Sequence, residues 1–445
     1  MKKYDNYKDS GLEWLGMVPE HWKIVPLKYL LSEPLQYGAN ESADNCNPLE
    51  PRYIRITDIT EGGKLRKSTY RTLPYQKAEG YMLKKGDILF ARSGATVGKT
   101  FLFEEDYDAC FAGYLIKASC NERLLPMFLY YFTSSNSYEN WKNSIFNQAT
   151  IQNIGADKYC ALPIPTPSSE EQKRIISFLS QKVGQIDALI SEKEKMVEDL
   201  KAYRSSLITE TVTKGLDKGV EMKDSGDIIF KSIPQHWNLI PIKYLTSKVG
   251  SGVTPTGGAN VYLQEGIIFL RSQNIYPTGL QLDDVVYISE AIDNNMAATR
   301  VNKGDVLLNI TGASIGRCFT YNRDERANVN QHVCIVRPKQ TLLNGKYLQY
   351  LFNSNAGQNF INSVQNGTNR EGLNFEQIKN FSVPVPSLDE QQTIIKFLEE
   401  KLSKIDALQI ELEHQLSDLK SYKSSLITEA VTGKIDLRDW QTKKS

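Results

Sequence analysis

Residues 167–217 read PSSEEQKRIISFLSQKVGQIDALISEKEKMVEDLKAYRSSLITETVTKGLD, and residues 386–436 repeat this stretch as PSLDEQQTIIKFLEEKLSKIDALQIELEHQLSDLKSYKSSLITEAVTGKID. The two copies align without a gap, at a constant offset of 219 residues. The first copy begins with a helix-start signature, because Ser168 can cap a helix and Glu171 follows three residues later. Since neither copy contains a proline beyond its first residue, each is predicted to form one long helix.

Mostly apolar residues recur in each copy at alternating steps of three and four residues, which is the pattern of a coiled-coil seam. The pattern lasts for about four heptads, and at about 1.5 Å per residue each helix would be about 60 Å long. The residues predicted to pair the helices are Leu179, Ile186, Leu189, Met196, Leu200, Tyr203 and Leu207 in the first copy, and Leu398, Ile405, Leu408, Leu412, Leu419, Tyr422 and Leu426 in the second.

The repeat extends beyond the helices and covers nearly the whole chain. VPEHW at residues 18–22 returns as IPQHW at residues 233–237, and the stretch at residues 85–99 returns at residues 303–317. The sequence therefore predicts an α+β fold made by tandem duplication, in which a globular mixed α/β module precedes each long helix. A head-to-tail duplication relates like surfaces by a two-fold axis only when the helices run antiparallel, so we expect an antiparallel coiled coil.

The predicted domain boundaries lie at two Pro-rich segments that precede the helices. The domains are a first module with its N-terminal segment (1–166), a central helix (167–217), a second module with its leading segment (218–385), a distal helix (386–436) and a C-terminal tail (437–445). Strands are predicted over residues 53–59, 87–91 and 100–103 in the first module and over 266–270, 305–309 and 318–321 in the second, with helices near 123–132 and 345–352.

Composition limits the possible classes of protein. The chain has 445 residues, a net charge of +1, 4 histidines and 6 cysteines, and their spacing gives neither a CxxC pair nor a metal-ligand pattern. We see no apolar run of about eighteen residues and no apolar core of a secretory signal, so we expect a cytoplasmic protein with free thiols. Because the charge is nearly neutral, any DNA contact must come from local patches or from a partner.

The segment SGATVGKT at residues 93–100 is the most tempting catalytic motif, since it resembles a phosphate-binding P-loop. Ser93 stands where the first glycine belongs, the next residues continue as a strand rather than a helix, and the second copy has Arg317-Cys318 in place of Lys-Thr. A glycine-rich turn between strands is therefore favoured, and a nucleotide-using enzyme remains an alternative. GxSxG and HExxH motifs are absent, and the repeated His-Trp pairs are interpreted as packed or hydrogen-bonded turns.

Positions at which the two copies agree should serve a common fold or partner, and positions at which they diverge should serve what differs between the halves. Residues 62–81 and 276–299 diverge, and the first stretch is basic with interleaved tyrosines, which suits contacts to phosphates and base edges. In the alternative interpretation, this basic stretch is a solvated surface that binds no DNA. The candidate DNA-binding residues are Lys64, Arg66, Lys67, Tyr70 and Arg71 in this stretch, Arg92, Lys99 and Arg317 around the glycine turns, and Arg323, Arg326, Asn369 and Arg370 in the second half.

Taken together, these motifs closely resemble the specificity subunits (HsdS) of type I restriction–modification systems. The resemblance covers nearly the whole chain and includes the PEHW-type openings, GDILFARSGATVGK at residues 86–99, the junctions before the helices with the pattern [IV]PxPxxxEQ, and the helices through SSLITE. It implies that each module is a target recognition domain that reads one half of a bipartite double-stranded DNA target. The paired helices would then hold the two domains apart.

The same resemblance implies the partners and cofactors. The helices would dock two methyltransferase subunits, and restriction subunits would join the full complex. S-adenosylmethionine, ATP and magnesium would be bound by those partners and none by this chain, which would be a non-catalytic subunit. A coiled-coil scaffold that oligomerises without DNA specificity remains an alternative, and it predicts DNA binding no better than that of a neutral control.

Overall fold

The computed structural model describes residues 2–60, 62–94, 96–146, 153–365 and 372–441. The chain divides into two compact units. The first unit comprises Met1–Glu194 and His414–Ser445, and the second unit comprises Lys195–Glu413. Each unit therefore contains one globular module together with part of each long helix.

The first module is built on a four-stranded antiparallel sheet. The strands of the whole module are β1 (Tyr7–Asp9), β2 (Met17–Pro19), β3 (Lys23–Pro26), β4 (Gln36–Tyr37), β5 (Arg52–Ile54), β6 (Ile88–Ala91), β7 (Thr100–Leu102), β8 (Ala109–Phe111), β9 (Leu115–Ala118) and β10 (Pro163–Thr166). The short helices of the module are α1 (Tyr75–Ala78), α2 (Pro126–Phe132), α3 (Asn136–Phe146) and α4 (Ala156–Cys160). The sheet order is β4-β9-β6-β7, while β5 pairs with β8 in parallel and β3 pairs with β10.

A long helix, α5 (Ser169–Lys214), follows β10. Its N-terminus is capped as predicted, because the Ser168 hydroxyl accepts a hydrogen bond from the Glu171 backbone N–H at 3.3 Å. The apolar face of its first turns packs into the core of the first module, where Ile175 and Leu179 lie beside Phe128 and Phe132. The module and the helix start are therefore parts of one core.

The second module repeats the same plan. Its strands are β11 (Met222–Asp224), β12 (Ser232–Pro234), β13 (Asn238–Pro241), β14 (Thr246–Ser251), β15 (Ile267–Leu270), β16 (Ile275–Tyr276), β17 (Gly279–Leu280), β18 (Val286–Ile288), β19 (Arg300–Val301), β20 (Val306–Asn309), β21 (Cys318–Thr320), β22 (Ala327–Val329), β23 (Val333–Pro338) and β24 (Ser382–Val385). Its helices are α6 (Ile242–Leu245), α7 (Glu290–Asn295), α8 (Gly345–Asn353), α9 (Asn355–Gln365) and α10 (Phe375–Asn380), and the second long helix is α11 (Leu388–Val431).

The main sheet and the parallel strand pair are arranged alike in the two modules. The main sheet of the second module runs β14-β23-β20-β21, as β4-β9-β6-β7 does in the first, and β15 pairs with β22 in parallel, as β5 does with β8. The predicted α+β duplication with two long helices is confirmed. The strand predicted over residues 53–59 is wrong in its second half, because Ile56–Asp58 forms a 3₁₀ turn.

The two long helices run antiparallel within each unit. In the first unit Asp187 contacts Lys423 at 2.6 Å and Glu194 contacts Lys420 at 3.0 Å, so numbers rise along α5 as they fall along α11. In the second unit Arg204 contacts Asp406 at 3.0 Å. The pKa of Lys201, three residues earlier, is raised mainly by Glu198 on its own helix and also by the charge of Glu413, seven residues after Asp406. The predicted direction of the helices is therefore confirmed inside both units.

The structure corrects the predicted seam at every second position. The buried or half-buried line on α5 passes through Val183, Ile190 and Val197, one residue after the predicted positions, and on α11 it passes through Leu402 and Leu416. Nine of the predicted residues are buried or half-buried: Leu179, Ile186, Leu200, Leu207, Leu398, Ile405, Leu412, Leu419 and Leu426. Five lie on the surface, with 43–56% of their area exposed: Leu189, Met196, Tyr203, Leu408 and Tyr422.

The pattern cannot choose between these two registers, because both contain apolar residues. On α5 the predicted line has Leu189, Met196 and Tyr203 at its shifted positions, and the observed line has Val183, Ile190 and Val197. A step of three followed by four is as compatible with a helix of 3.6 residues per turn as a step of four followed by three. Contacts made in the folded chain therefore decide the register.

A buried glutamine joins each module to its long helix. Gln172 accepts a hydrogen bond from the Leu125 backbone N–H at 2.8 Å and donates to the carbonyl oxygens of Arg123 and Pro167 at 2.9 and 3.1 Å. Gln391 makes the three corresponding bonds in the second unit, to the Asn344 N–H and to the Leu342 and Pro386 carbonyls. The repeated EQ dipeptide thus fixes the angle at which the helix leaves the module.

The described part of the C-terminal tail belongs to the first unit. Leu437 is buried, and the Trp440 ring packs edge-on against Phe178 with ring centroids 4.9 Å apart. Nearby, the Asp436 backbone N–H donates to the Lys2 carbonyl at 2.9 Å. The N-terminal residues and the C-terminal tail therefore pack in the same unit.

Candidate nucleic-acid interface

Each module carries a surface loop after a motif that the two copies share. The shared motif is Ile54–Ile59 in the first module and Leu270–Ile275 in the second, and each contains an arginine followed three residues later by aspartate or asparagine. We call residues 62–71 variable loop 1 and residues 276–285 variable loop 2, since their sequences differ. They are the first parts of residues 62–81 and 276–299, the two stretches in which the sequences of the copies diverge.

The side chain of Arg55 binds the backbone of variable loop 1. Its guanidinium donates to the buried carboxylate of Asp58 at 3.1 and 2.8 Å and to the Thr69 carbonyl at 2.9 Å. The Asp58 carbonyl in turn accepts from the Arg66 backbone N–H at 2.8 Å. The hydrogen bond with Asp58 raises the pKa of Arg55 above its ordinary value, so the guanidinium stays charged.

A second arginine, Arg52, supports the same loop from the strand before it. It is 8% exposed, and it donates to the Arg66 carbonyl and to the Tyr107 hydroxyl, each at 2.9 Å. The rings of Tyr70 and Tyr107 flank its guanidinium with their centroids 5.5 and 5.9 Å away. These contacts satisfy a nearly buried charge, which would otherwise be costly.

Variable loop 2 is held in the corresponding way. Arg271 donates to the Asp284 carbonyl at 2.7 Å. The amide of Asn274 donates to the Gln281 carbonyl at 3.0 Å and to the Asp284 carboxylate at 2.9 Å. In both modules, therefore, side chains of the shared motif bind backbone carbonyls of the variable loop.

The two loops present different chemistry to solvent. Lys64, Arg66 and Lys67 are exposed on variable loop 1, whereas Asp283 and Asp284 are exposed on variable loop 2. Of the other candidates in variable loop 1, Tyr70 and Arg71 are half-buried, and Arg71 donates to the Tyr70 carbonyl at 2.7 Å. Cationic side chains suit phosphates and guanine, and carboxylates can accept from the amino group of cytosine.

The glycine turns supply a basic residue at the base of each variable loop. The Lys99 ammonium lies 3.4 Å from the Ile59 carbonyl, and Lys99 lines a cleft of about 510 Å³ together with Gly62 and Gly63. The Arg317 guanidinium lies 4.9 Å over the ring of Tyr276, where variable loop 2 begins. The first turn continues into β7, as predicted, so the residues after Lys99 form a strand.

Other candidates lie apart from the variable loops or are engaged elsewhere. Arg92 stacks over Tyr37 at 4.8 Å, and its buried Nε has no hydrogen-bond partner among the described residues. Arg323 pairs with Glu325 at 2.6 Å and Arg326 pairs with Glu290 at 2.5 Å, which offsets their charge. Asn369 and Arg370 lie outside the described residues.

Sequence reasoning missed the residues that hold the loops: Arg52, Arg55, Asp58, Arg271 and Asn274. Because an arginine followed by Asp or Asn occurs at the same place in both copies, the duplication contained a signal for four of them. That signal points to a shared role but not to the loop that each residue contacts. Only the fold brings residues 55 and 69 together.

The repeated His-Trp pairs are hydrogen-bonded turns, as interpreted. Trp22 and Trp237 donate to Glu171 and Glu390, and His21 and His236 lie 3.1 and 3.0 Å from the same carboxylates. Within the described ranges, His, Cys, Asp and Glu side chains form no group of three or more that could hold a metal ion. Over the same residues, no helix is long and apolar enough to cross a membrane.

Comparisons with known proteins identify similar sequences over most of the chain. Residues 19–199 and 234–420 match the family model described as Type I restriction modification DNA specificity domain. The chain is 23% identical to the type I restriction enzyme EcoBI specificity subunit of Escherichia coli, covering 96% of this chain and 89% of that protein. It is 24% identical to the MjaVIII specificity subunit of Methanocaldococcus jannaschii, covering 98% and 97%.

Two solved structures are similar in fold. One is a chain from a structural study of complex assembly and conformational transition of the type I R-M system, with a TM-score of 0.73, 17% identity, and coverage of 94% of this chain and 99% of that chain. The other is the HsdS subunit from Thermoanaerobacter tengcongensis, with a TM-score of 0.50, 17% identity, and coverage of 94% and 98%. At this identity the similarity concerns the fold.

Proposed function

Because the chain belongs to the family of type I restriction modification DNA specificity domains, we propose that it reads a bipartite, gapped DNA sequence with one half-site for each unit. It is a specificity subunit of a type I restriction–modification system. Double-stranded DNA is the ligand, and the two variable loops with their neighbouring basic residues are the proposed contact surfaces.

The observation that carries this proposal is one framework that holds two chemically different loops. Lys64, Arg66 and Lys67 in variable loop 1 suit phosphate oxygens and the acceptors of guanine. Asp283 in variable loop 2 suits donors such as the cytosine amino group, whereas the Asp284 carboxylate already accepts from Asn274. Since the recognition chemistry differs, the two half-sites should differ in sequence.

Lys99 and Arg317 support the same arrangement from the glycine turns. They occupy corresponding positions in the duplicated sequence, and each lies at the base of a variable loop. A cation at this place can fix the DNA backbone while the loop contacts base edges. We propose that these two residues bind phosphates and do not select a base.

We further propose that the long helices dock two methyltransferase subunits, which methylate adenine, and that restriction subunits join through that complex. Monomeric proteins rarely expose clustered apolar side chains without a partner. The candidates for the docking surface are Leu189 and Tyr422 in the first unit, and Met196, Tyr203, Leu408 and Ile410 in the second, all of which are 43–68% exposed.

In this assembly the present chain contributes recognition and no catalytic residue. S-adenosylmethionine would supply the methyl group in the methyltransferase subunits, and ATP and magnesium would serve the restriction subunits. A scaffold without DNA specificity is the competing function, and it predicts that the complex binds all sequences equally. A nucleotide-using enzyme is the other alternative, and an unchanged nucleotide titration for Lys99→Ala would remove it.

An exchange of residues 62–81 for a foreign loop tests the division of readout. The variant is expressed with its methyltransferase subunit, and methylated adenines are mapped by long-read sequencing. We expect one half of the recognised sequence to change and the other half to stay. A change in both halves would contradict the assignment of this stretch to one half-site.

A further inference from the structure

We infer that Arg55 and Arg271 are positioning residues for DNA recognition, which hold variable loops 1 and 2 in the conformation that contacts the bases. The inference rests on the proposed function, since it assumes that the loops contact DNA. It adds residues whose own side chains do not reach a base. They act by binding the backbone of the loop that does.

The backbone turn and the direction of one guanidinium nitrogen are the same in both units. The Arg55 backbone N–H donates to the Asp58 carboxylate at 2.8 Å, and the Arg271 backbone N–H donates to the Asn274 side-chain oxygen at 2.9 Å. Each of these turns directs its guanidinium Nη2 to a carbonyl of the following loop, Thr69 at 2.9 Å and Asp284 at 2.7 Å. The same contact, from an arginine to a loop carbonyl, thus occurs at corresponding positions and holds two loops of different sequence.

The choice of acceptor explains how one framework tolerates different loops. A backbone carbonyl is present whatever side chain its residue carries, so the clamp survives substitution of the side chains that face DNA. In loop 1 those exposed side chains are Lys64, Arg66 and Lys67, and none of them forms the clamp. In variable loop 1 the clamp therefore separates the conformation of the loop from its specificity, whereas in variable loop 2 the Asp284 side chain also contacts the clamp.

Neither arginine is arranged to contact DNA itself. The Arg55 side chain is 27% exposed, and both of its donor nitrogens in this cluster are directed inward, to Asp58 and Thr69. The Arg271 side chain is 22% exposed and is directed at Asp284. Their effect on recognition must therefore pass through the loop backbone.

The test is Arg55→Lys in the chain bound to its methyltransferase subunit, with Arg271→Lys as the matched variant. Lysine keeps the charge but cannot bind Asp58 and Thr69 together with a planar fork. Binding is measured for the recognised DNA and for duplexes mismatched in one half-site. Arg55→Lys should lower discrimination about tenfold, the cost of one mismatched base pair, in one half-site, and Arg271→Lys should do so in the other.

Asp58→Asn is the milder variant, because its amide oxygen can still accept from the Arg55 backbone N–H, as Asn274 does from Arg271, while the bond from Arg55 Nη2 is lost. It should lose less discrimination than Asp58→Ala, which should resemble Arg55→Lys. Amide hydrogen exchange provides a readout without DNA, since Arg55→Lys should speed exchange of the Arg66 N–H, which donates to the Asp58 carbonyl. The half-site that keeps its discrimination reports that each variant is folded.

Two results would overturn the inference. One is unchanged discrimination by Arg55→Lys in both half-sites, and the other is an equal loss in both, which would mean that the residue acts on the whole fold. If the unsubstituted complex binds matched and mismatched DNA equally, the proposed function fails, and the positioning role fails with it. If only the variant result fails, the proposed function stands without this clamp.

Discussion

Trp22 donates its indole N–H to the carboxylate of Glu171 at 3.1 Å, and Trp237 makes the corresponding bond to Glu390 at 3.0 Å. Both tryptophans are fully buried. The bond joins the repeated PEHW-type motif at the start of each module to the repeated EQ dipeptide at the start of each long helix. Two motifs that are separate in the sequence are thus the two ends of one contact.

Replacing Glu171 with alanine should destabilise the first unit. The mutation leaves the buried Trp22 N–H without its acceptor and removes the partner of the Tyr4 hydroxyl, which lies 2.5 Å from the same carboxylate. An unsatisfied buried donor costs about 1–3 kcal/mol. Glu390→Ala should cost less, because among the described residues that carboxylate accepts from Trp237 and lies beside the exposed His236, with no counterpart of the buried Tyr4 hydroxyl.

Chemical denaturation followed by tryptophan fluorescence measures both effects. Glu170→Ala is the matched control, since its exposed carboxylate pairs with Lys173 on the same helix, and it should leave the midpoint nearly unchanged. An equal midpoint for Glu171→Ala and the unsubstituted chain would contradict the role of this contact.

The seam register predicts a difference between two leucines of α11. Leu402 is 5% exposed and Leu408 is 47% exposed, although both fit an apolar step of three or four residues. Leu402→Ala should lower the free energy of unfolding by about 2–5 kcal/mol, because it opens a cavity in the apolar core of the second unit. Leu408→Ala should change it by about 0.5 kcal/mol or less.

The same denaturation experiment compares the two variants, which differ only in position. A larger loss for Leu408→Ala than for Leu402→Ala would mean that the helices pair through the register predicted from the sequence. Binding of a methyltransferase subunit should rank the two variants in the opposite order, because Leu408 belongs to the proposed docking surface and Leu402 lies inside the core.

Much of the fold follows from the duplication, and the exceptions have physical causes. Both long helices and their direction are predicted, since repeated motifs and uninterrupted apolar periodicity are properties of the sequence itself. The six predicted strands correspond to β5, β6, β7, β15, β20 and β21, while the other strands are too short or too irregular in pattern to be predicted. The register is missed because Leu189 and Ile190 are equally apolar neighbours, and packing in the folded chain determines which one is buried. The 3₁₀ turn at Ile56–Asp58 is missed because Tyr53–Ile59 has the composition of a strand, while the Asp58 side chain closes a turn.

The candidate site is predicted less completely than the fold. The exposed cations of variable loop 1 were identifiable, because divergence between the copies marks that stretch. Arg323 and Arg326 were chosen for their charge alone, and the structure pairs them with Glu325 and Glu290. A carboxylate partner distant in sequence, such as Glu290 for Arg326, is visible only after folding.

Neutralising the cations of variable loop 1 should weaken DNA binding in proportion to the phosphate contacts that are lost. Each of Lys64→Gln and Lys67→Gln should reduce the slope of log affinity against log salt by about 1 if the residue contacts a phosphate. Arg323→Gln is the control, because its guanidinium already pairs with Glu325, and its slope should stay unchanged. Titration of the complex at several salt concentrations provides the slopes. Equal slopes for all variants would contradict the assignment of this loop.

Cysteine reactivity should follow burial and its effect on the pKa. Burial raises the pKa of the Cys110 and Cys334 thiols to about 12 each. At pH 8 the thiolate fraction is then on the order of one in ten thousand, and the thiolate is the reactive form. Raising the pH towards 12 should increase their reactivity, provided that the chain stays folded.

Alkylation with iodoacetamide at pH 8, followed by mass spectrometry, measures this prediction. Cys46 is exposed and should react first, while Cys110 and Cys334 should react only after denaturation, when all six cysteines are available. Rapid modification of Cys110 in the folded chain would mean that the strand β8 is not buried as described.

The central claim is that this chain determines which adenines its methyltransferase partner methylates. Long-read mapping of methylated adenines in the host, with and without the gene for this chain, tests it most directly. We predict that deletion abolishes methylation at one bipartite sequence with two unlike halves and a fixed gap, and that returning the gene restores it. An unchanged set of methylated sequences after deletion would contradict the claim.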